Sequence, residues 1–109
     1  MYLIGYNVNV ITIRETEHFK NWMRVLKDRQ ARSIINARIR RLSLGNKSDS
    51  KFVGDGIVEL RIDFGPGYRV YYTHINHEII ILLFGGDKSS QTVDIENAKQ
   101  IASNLEAVE

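Results

Sequence analysis

The sequence predicts an α+β fold: an N-terminal strand, a helical hairpin, a three-stranded antiparallel meander completing a sheet of about four strands, and a C-terminal helix. Three observations carry this reading. Two stretches of helical apolar spacing, Phe19 to Leu26 and Ala31 to Leu42, follow a short β-branched run. Between Val58 and Phe84 the pattern changes to strand-like runs separated by turn residues. Helical spacing returns at Ile95, Ala98, Ile101, Ala102 and Leu105. At 109 residues there is room for one domain, 1–109, with a core that needs no covalent staple.

Val8 to Ile13 is short, β-branched and roughly alternating, which predicts the first strand. Thr16 offers an N-cap, and Phe19, Trp22, Met23 and Leu26 fall on one helical face that runs out near Asp28. Ala31, Ile34, Ile35, Ile39 and Leu42 make a second stripe, with Arg32, Arg38, Arg40 and Arg41 mostly outside it, until Gly45-Asn46 ends the pattern. The two helices are expected to form an antiparallel hairpin, followed by a polar loop from Leu44 to Asp55. Val58, Leu60, Ile62 and Phe64 then alternate with Glu59, Arg61 and Asp63, as in a strand with one buried face. Gly65-Pro66-Gly67 reverses the chain into a strand from Tyr68 to Thr73, and Asn76-His77 turns it into another from Ile79 to Phe84. A three-residue loop pairs Phe64 with Tyr68, Ile62 with Val70 and Leu60 with Tyr72, keeping apolar side chains together. The last of these strands is apolar on both faces, so a central place with a helix over its second face is expected. The terminal helix is expected to start near Thr92.

The absence of cysteine excludes disulfides and thiolate metal sites and fits a reducing cytoplasm. Neither a signal peptide nor a bilayer-length apolar run is expected; Ile79 to Phe84 is only strand-sized. The net charge of +2 conceals a polarised chain: Arg14 to Lys51 holds 11 basic and 4 acidic residues, a net +7, and the remainder nets −5. Such a basic lobe points to an anionic partner, nucleic acid or an acidic protein segment, or to solvated helix faces.

The expected register places Arg61 and Arg69 on one sheet surface, with Lys88 following the next strand at the same end. Three converging cations suit a phosphodiester, since guanidinium forks bind phosphate oxygens and an ammonium offsets charge that grows during reaction. The competing reading is ion pairing, Asp63 with Arg69 across the strands and Glu59 with Arg61 two residues away. His18, His74 and His77 lack an evident third ligand, so no metal site is expected. Gly85-Gly86-Asp87-Lys88 lacks the spacing of a nucleotide-triphosphate loop. Tyr68 and Tyr72 share the apolar face and read as core, which leaves Tyr71 as the base-stacking candidate.

The run Glu59-Leu60-Arg61-Ile62-Asp63-Phe64-Gly65-Pro66-Gly67-Tyr68-Arg69-Val70-Tyr71-Tyr72, followed by Leu82 to Gln91 and Asp94-Ile95, closely resembles the addiction-module killer proteins, the HigB-type or phage Gp49-like members of the RelE/ParE superfamily. Phe19, Trp22, Leu26-Lys27-Asp28 and Arg38 to Leu42 extend the resemblance over nearly the whole chain. It implies a RelE-like domain and the toxin of a type II toxin–antitoxin module, a ribosome-dependent mRNA endoribonuclease that works without metal or other cofactor. In that chemistry the ribose 2′-hydroxyl attacks the adjacent phosphate while the protein aligns it, moves protons and stabilises the anion. By motif, Arg69 matches the phosphate-binding arginine, Lys88 a second basic catalytic residue, and Arg61 a basic position on the preceding strand; Glu59 is the candidate base and Lys88 the candidate acid. Arg38, Arg41, Lys47, Lys51, Tyr71 and Gln91 are the candidate RNA contacts. Where some relatives carry a base-stacking tyrosine this chain has Asp94, and the histidines of other HigB toxins have no counterpart.

The partners that the resemblance implies are the ribosome with its mRNA and a cognate antitoxin, a HigA-like helix-turn-helix protein, with promoter DNA engaged only through the antitoxin complex. No membrane is implied. The alternative is a ParE-like toxin that poisons DNA gyrase without cutting RNA, because a fold does not fix a function.

Overall fold

Thr16 joins the first strand to the first helix through one hydroxyl. Its Oγ1 accepts from the Phe19 N–H at 3.0 Å and donates to the Leu83 carbonyl at 2.8 Å, capping the helix and pinning it to the sheet. The computed structural model describes residues 10–47 and 49–108. Strand β1 (Thr12–Glu15) leads through this cap into α1 (Glu17–Val25), and α2 spans Arg29–Ser43. Asp28, expected near the end of the first helix, instead caps the second: its Oδ1 accepts from the Ala31 N–H at 3.1 Å. Four strands follow, β2 (Ser50–Gly54), β3 (Ile57–Ile62), β4 (Tyr68–Asn76) and β5 (Ile79–Asp87), then a 3-10 turn at Lys88–Ser90 and α3 (Gln91–Val108). The sheet order is β1-β5-β4-β3-β2, with β1 parallel to β5 and every other pair antiparallel. The mixed α+β architecture agrees with the expectation; β5 is an interior strand between β1 and β4, as its two-sided apolar pattern requires, while the middle place falls to β4. Val8 and Asn9, the start of the expected first strand, lie outside the described residues.

Three details differ from the sequence reading. A fifth strand, β2, occupies part of the expected polar loop and pairs with β3 through a two-residue turn. That turn is Asp55-Gly56, with φ of +54° and +77°, a conformation that suits this pair and matches the twist of a hairpin. The β3–β4 connection is longer than expected, so the register is displaced by two residues: Ile62 pairs with Tyr68, Leu60 with Val70 and Arg61 with Arg69. Asp63 and Phe64 leave the ladder because two turns close in succession, the Phe64 N–H on the Ile62 carbonyl at 2.9 Å and the Gly67 N–H on the Phe64 carbonyl at 3.1 Å. A slip of two preserves the alternation, so the side chains that remain in the β3–β4 ladder keep their expected faces.

The third difference shapes the site. Helix cover on the second face, expected over β5, extends across β4 to β3, so the face carrying Glu59 is covered as well as its opposite. On one side Phe19 of α1 and Ala31, Ile35 and Leu42 of α2 pack on Leu60, Ile62, Val70, Tyr72, Ile80 and Leu82. On the other, Ala98 of α3, with Ile95, Ile101 and Leu105 beside it, covers Ile57, Tyr71 and Leu83. Each fully buried large apolar side chain contributes about 1.5–3 kcal/mol. Two adjacent glycines let both layers close at the end of β5. A Cβ on Gly85 would overlap the Trp22 ring, and one on Gly86 would overlap the Asp94 carboxylate.

Candidate functional site

The site forms where β3 and β4 pass out from under the start of α3. Arg61 and Arg69 are direct cross-strand partners, and like charges in that relation repel. Glu59, one pleat further in and fully buried, compensates them: its Oε1 accepts from Arg61 Nε at 3.0 Å, and its Oε2 lies 3.9 Å from Arg69 Nε. Gln91, the first residue of α3, donates Nε2 to Oε2 at 2.7 Å, and the Tyr71 hydroxyl donates to the same oxygen at 3.4 Å. The carboxylate therefore has both oxygens engaged inside the protein, where a buried charge requires such partners.

The two arginines are held differently. Arg61 is 38% exposed at the side chain and uses only Nε on Glu59, so both of its Nη groups have no partner among the described residues. Arg69 is 11% exposed; its Nη1 donates to the Gly67 and Tyr68 carbonyls at 3.2 and 3.3 Å. Its Nε is buried with no hydrogen-bond partner among the described residues, the 3.9 Å approach to Glu59 being coulombic only. Lys88 is exposed and forms no ion pair with a described residue. Its backbone is set by Asp87, whose Oδ1 accepts from the Ser89 N–H at 2.8 Å and from the Ser89 hydroxyl at 2.5 Å. Those bonds hold the Asp87 carboxyl below its ordinary range.

Arg61, Arg69 and Lys88 line one open hollow of about 270 Å³, completed by Gly67, Asp49 and Asp63. The three cations that the sequence places at one end of the sheet thus line the same hollow. Glu59, expected as a base, lies beneath the hollow with its side chain 0% exposed, so it orients the arginines and cannot meet a substrate hydroxyl. Tyr71, expected to stack a base, is instead buried completely by α3, so no base can reach it, and burial followed by the charge on Glu59 pushes its phenol well above the ordinary range. Gln91 is turned inward onto Glu59 rather than toward RNA.

The other expected RNA contacts lie outside the hollow. Arg38 donates Nη1 to the Arg61 carbonyl at 2.9 Å, tying α2 to β3. Arg41 is exposed on the last turn of α2, and Lys51 is exposed on β2 opposite Glu59. Lys47 borders a separate hollow of about 370 Å³ with Ile11, His74, Asn76 and His77. Burial, then the nearby Lys47 charge, lowers the His74 pKa. Among the described residues no three His, Cys, Asp or Glu side chains are placed to hold a metal ion.

Asp49 is the lining residue that the sequence reading missed. Its carbonyl accepts the Arg61 N–H at 2.9 Å, which brings it to the site through β2, the strand read as loop. Asp94, noted only as a departure from relatives, is buried over Gly86 with the Ser90 hydroxyl donating to it, and burial raises its pKa.

Fold and site together define a small α+β domain with a cation-lined hollow at one sheet end. The chain belongs to the family described as Phage derived protein Gp49-like (DUF891), whose sequence profile matches residues 21–106. That family is associated with toxin–antitoxin modules. The chain is also similar to a Haemophilus influenzae protein named only as uncharacterized, with 53% identity over 95 residues, covering 87% of this chain and 96% of that protein. No helix among the described residues is long and apolar enough to cross a membrane.

Proposed function

We propose that this chain is the toxin of a type II toxin–antitoxin module and acts in the cytoplasm as a metal-independent, ribosome-dependent mRNA endoribonuclease of the RelE/HigB kind, restrained by a HigA-like antitoxin. The observation that carries the reading is the meeting of Arg61, Arg69 and Lys88 in one open hollow above the buried Glu59. In this reading the unengaged Arg61 Nη groups and Arg69 Nη2 hold the non-bridging oxygens of the scissile phosphate, and Lys88 offsets charge on the departing 5′-oxygen. Glu59 is a positioning residue that keeps the two guanidinium groups in register.

The formal charges at the hollow cancel, since Asp49 and Asp63 in its lining and Glu59 beneath it match its three cations. It therefore orients a phosphate more than it attracts one. Attraction over distance falls to the exposed Arg40, Arg41, Lys47 and Lys51.

The class is tested by inducing the protein in cells and following two products, mRNA ends on translating ribosomes and gyrase-linked DNA breaks. New mRNA ends with intact DNA support the nuclease. Broken DNA with intact mRNA overturns it in favour of a ParE-like gyrase poison.

A further inference from the structure

Cleavage by the ribose 2′-hydroxyl needs a proton acceptor, and the enclosure of Glu59 leaves that role to another group. Two carboxylates line the hollow, Asp49 and Asp63. Both are exposed, and neither forms an ion pair or side-chain hydrogen bond with a described residue, although three cations share their cavity. They differ in placement. Asp49 precedes β2, one strand outward from Arg61 and about 5 Å further from Arg69 and Lys88 by the spacing of strands. Asp63 begins the loop that joins the two arginine strands directly, and the turns that close this loop take it out of the ladder.

Resting on the nuclease reading, the geometry points to Asp63 as the catalytic base. Its carboxylate takes the proton of the 2′-hydroxyl as the 2′-oxygen bonds to phosphorus. The bond from phosphorus to the 5′-oxygen breaks, and the departing oxygen takes a proton from Lys88. The products are a 2′,3′-cyclic phosphate and a 5′-hydroxyl; Asp63 then returns its proton to water and Lys88 regains one. This step requires no redox partner or co-reactant.

The sign of one substitution separates a base from a bystander. An idle aspartate beside a phosphate repels it, so Asp63→Asn would then bind RNA more tightly and cut at least as fast. A base predicts the reverse for the rate: single-turnover cleavage of ribosome-bound mRNA falls about 10²–10⁴-fold. Binding to ribosomes carrying mRNA with a 2′-deoxynucleotide at the cut position is kept or strengthened, and the acid limb of the wild-type pH–rate profile disappears. Equal or faster cutting by Asp63→Asn, or a larger loss in Asp49→Asn, overturns the assignment while wild-type cutting keeps the nuclease reading intact. A wild-type protein that cuts no mRNA removes both together.

Discussion

Arg61 and Arg69 face each other directly across β3 and β4, and both reach toward the single carboxylate of Glu59, which is closed off from solvent beneath them. Neither arginine position is favourable without that carboxylate. Substituting Glu59→Gln leaves two opposed guanidinium groups, one of them nearly buried, without a counter-charge. Stability is expected to fall by about 3 kcal/mol, read as a lower urea midpoint. Adding Arg61→Gln should restore part of the loss, because it removes one of the stranded charges; a strictly additive double variant would contradict the coupling.

The close approach at Gly85 and Gly86 gives a second expectation. Alanine at either position must displace the Trp22 ring or the Asp94 carboxylate, so each variant should lose about 1–3 kcal/mol. Differential scanning calorimetry reads this as a lower Tm. Gly85→Ala alone should also change the fluorescence of Trp22, the sole tryptophan.

Much of this arrangement was legible in the residues. Helical spacing at Phe19 to Leu42 and alternation from Val58 to Phe84 located the layers, and alternation alone put Arg61 and Arg69 on one surface. Alternation fixes a face but is blind to a slip of two, which is why Arg61 meets Arg69 where Asp63 was expected. Gly54-Asp55-Gly56, flanked by Phe52-Val53 and Ile57-Val58, carried a hairpin signal, obscured by the polar run from Asn46 to Lys51 that precedes it. The burial of Glu59 and Tyr71 depends on where α3 comes to rest, and a strand's own pattern holds no information about that helix.

Asp94 supplies a pH dependence. Burial raises its folded-state pKa above the unfolded value, so the folded protein holds this proton more tightly. Its contribution is most favourable below the ordinary aspartate range and declines as pH rises through the folded-state value. Asp94→Asn should therefore be more stable than the wild type at pH 7, with the advantage vanishing toward pH 3 in chemical denaturation. A variant less stable than the wild type at pH 7 would show that the charged carboxylate is needed, through its bond with Ser90.

The division between an orienting hollow and an attracting surface is measurable in salt. Removing Arg41, Lys47 and Lys51 by substitution to glutamine should weaken binding to single-stranded RNA regardless of sequence. The slope of log K against log salt should fall by about 0.7 for each charge that meets a phosphate. An unchanged slope would place RNA elsewhere on the surface.

The central claim is that Arg61, Arg69 and Lys88 act on one phosphodiester, and single-turnover cleavage of mRNA on purified ribosomes tests it most directly. The expected result is cutting by the wild type and rates about 10²–10³-fold lower for Arg69→Ala and Lys88→Ala, both still folded by circular dichroism. Equal cutting by all three proteins would contradict the account.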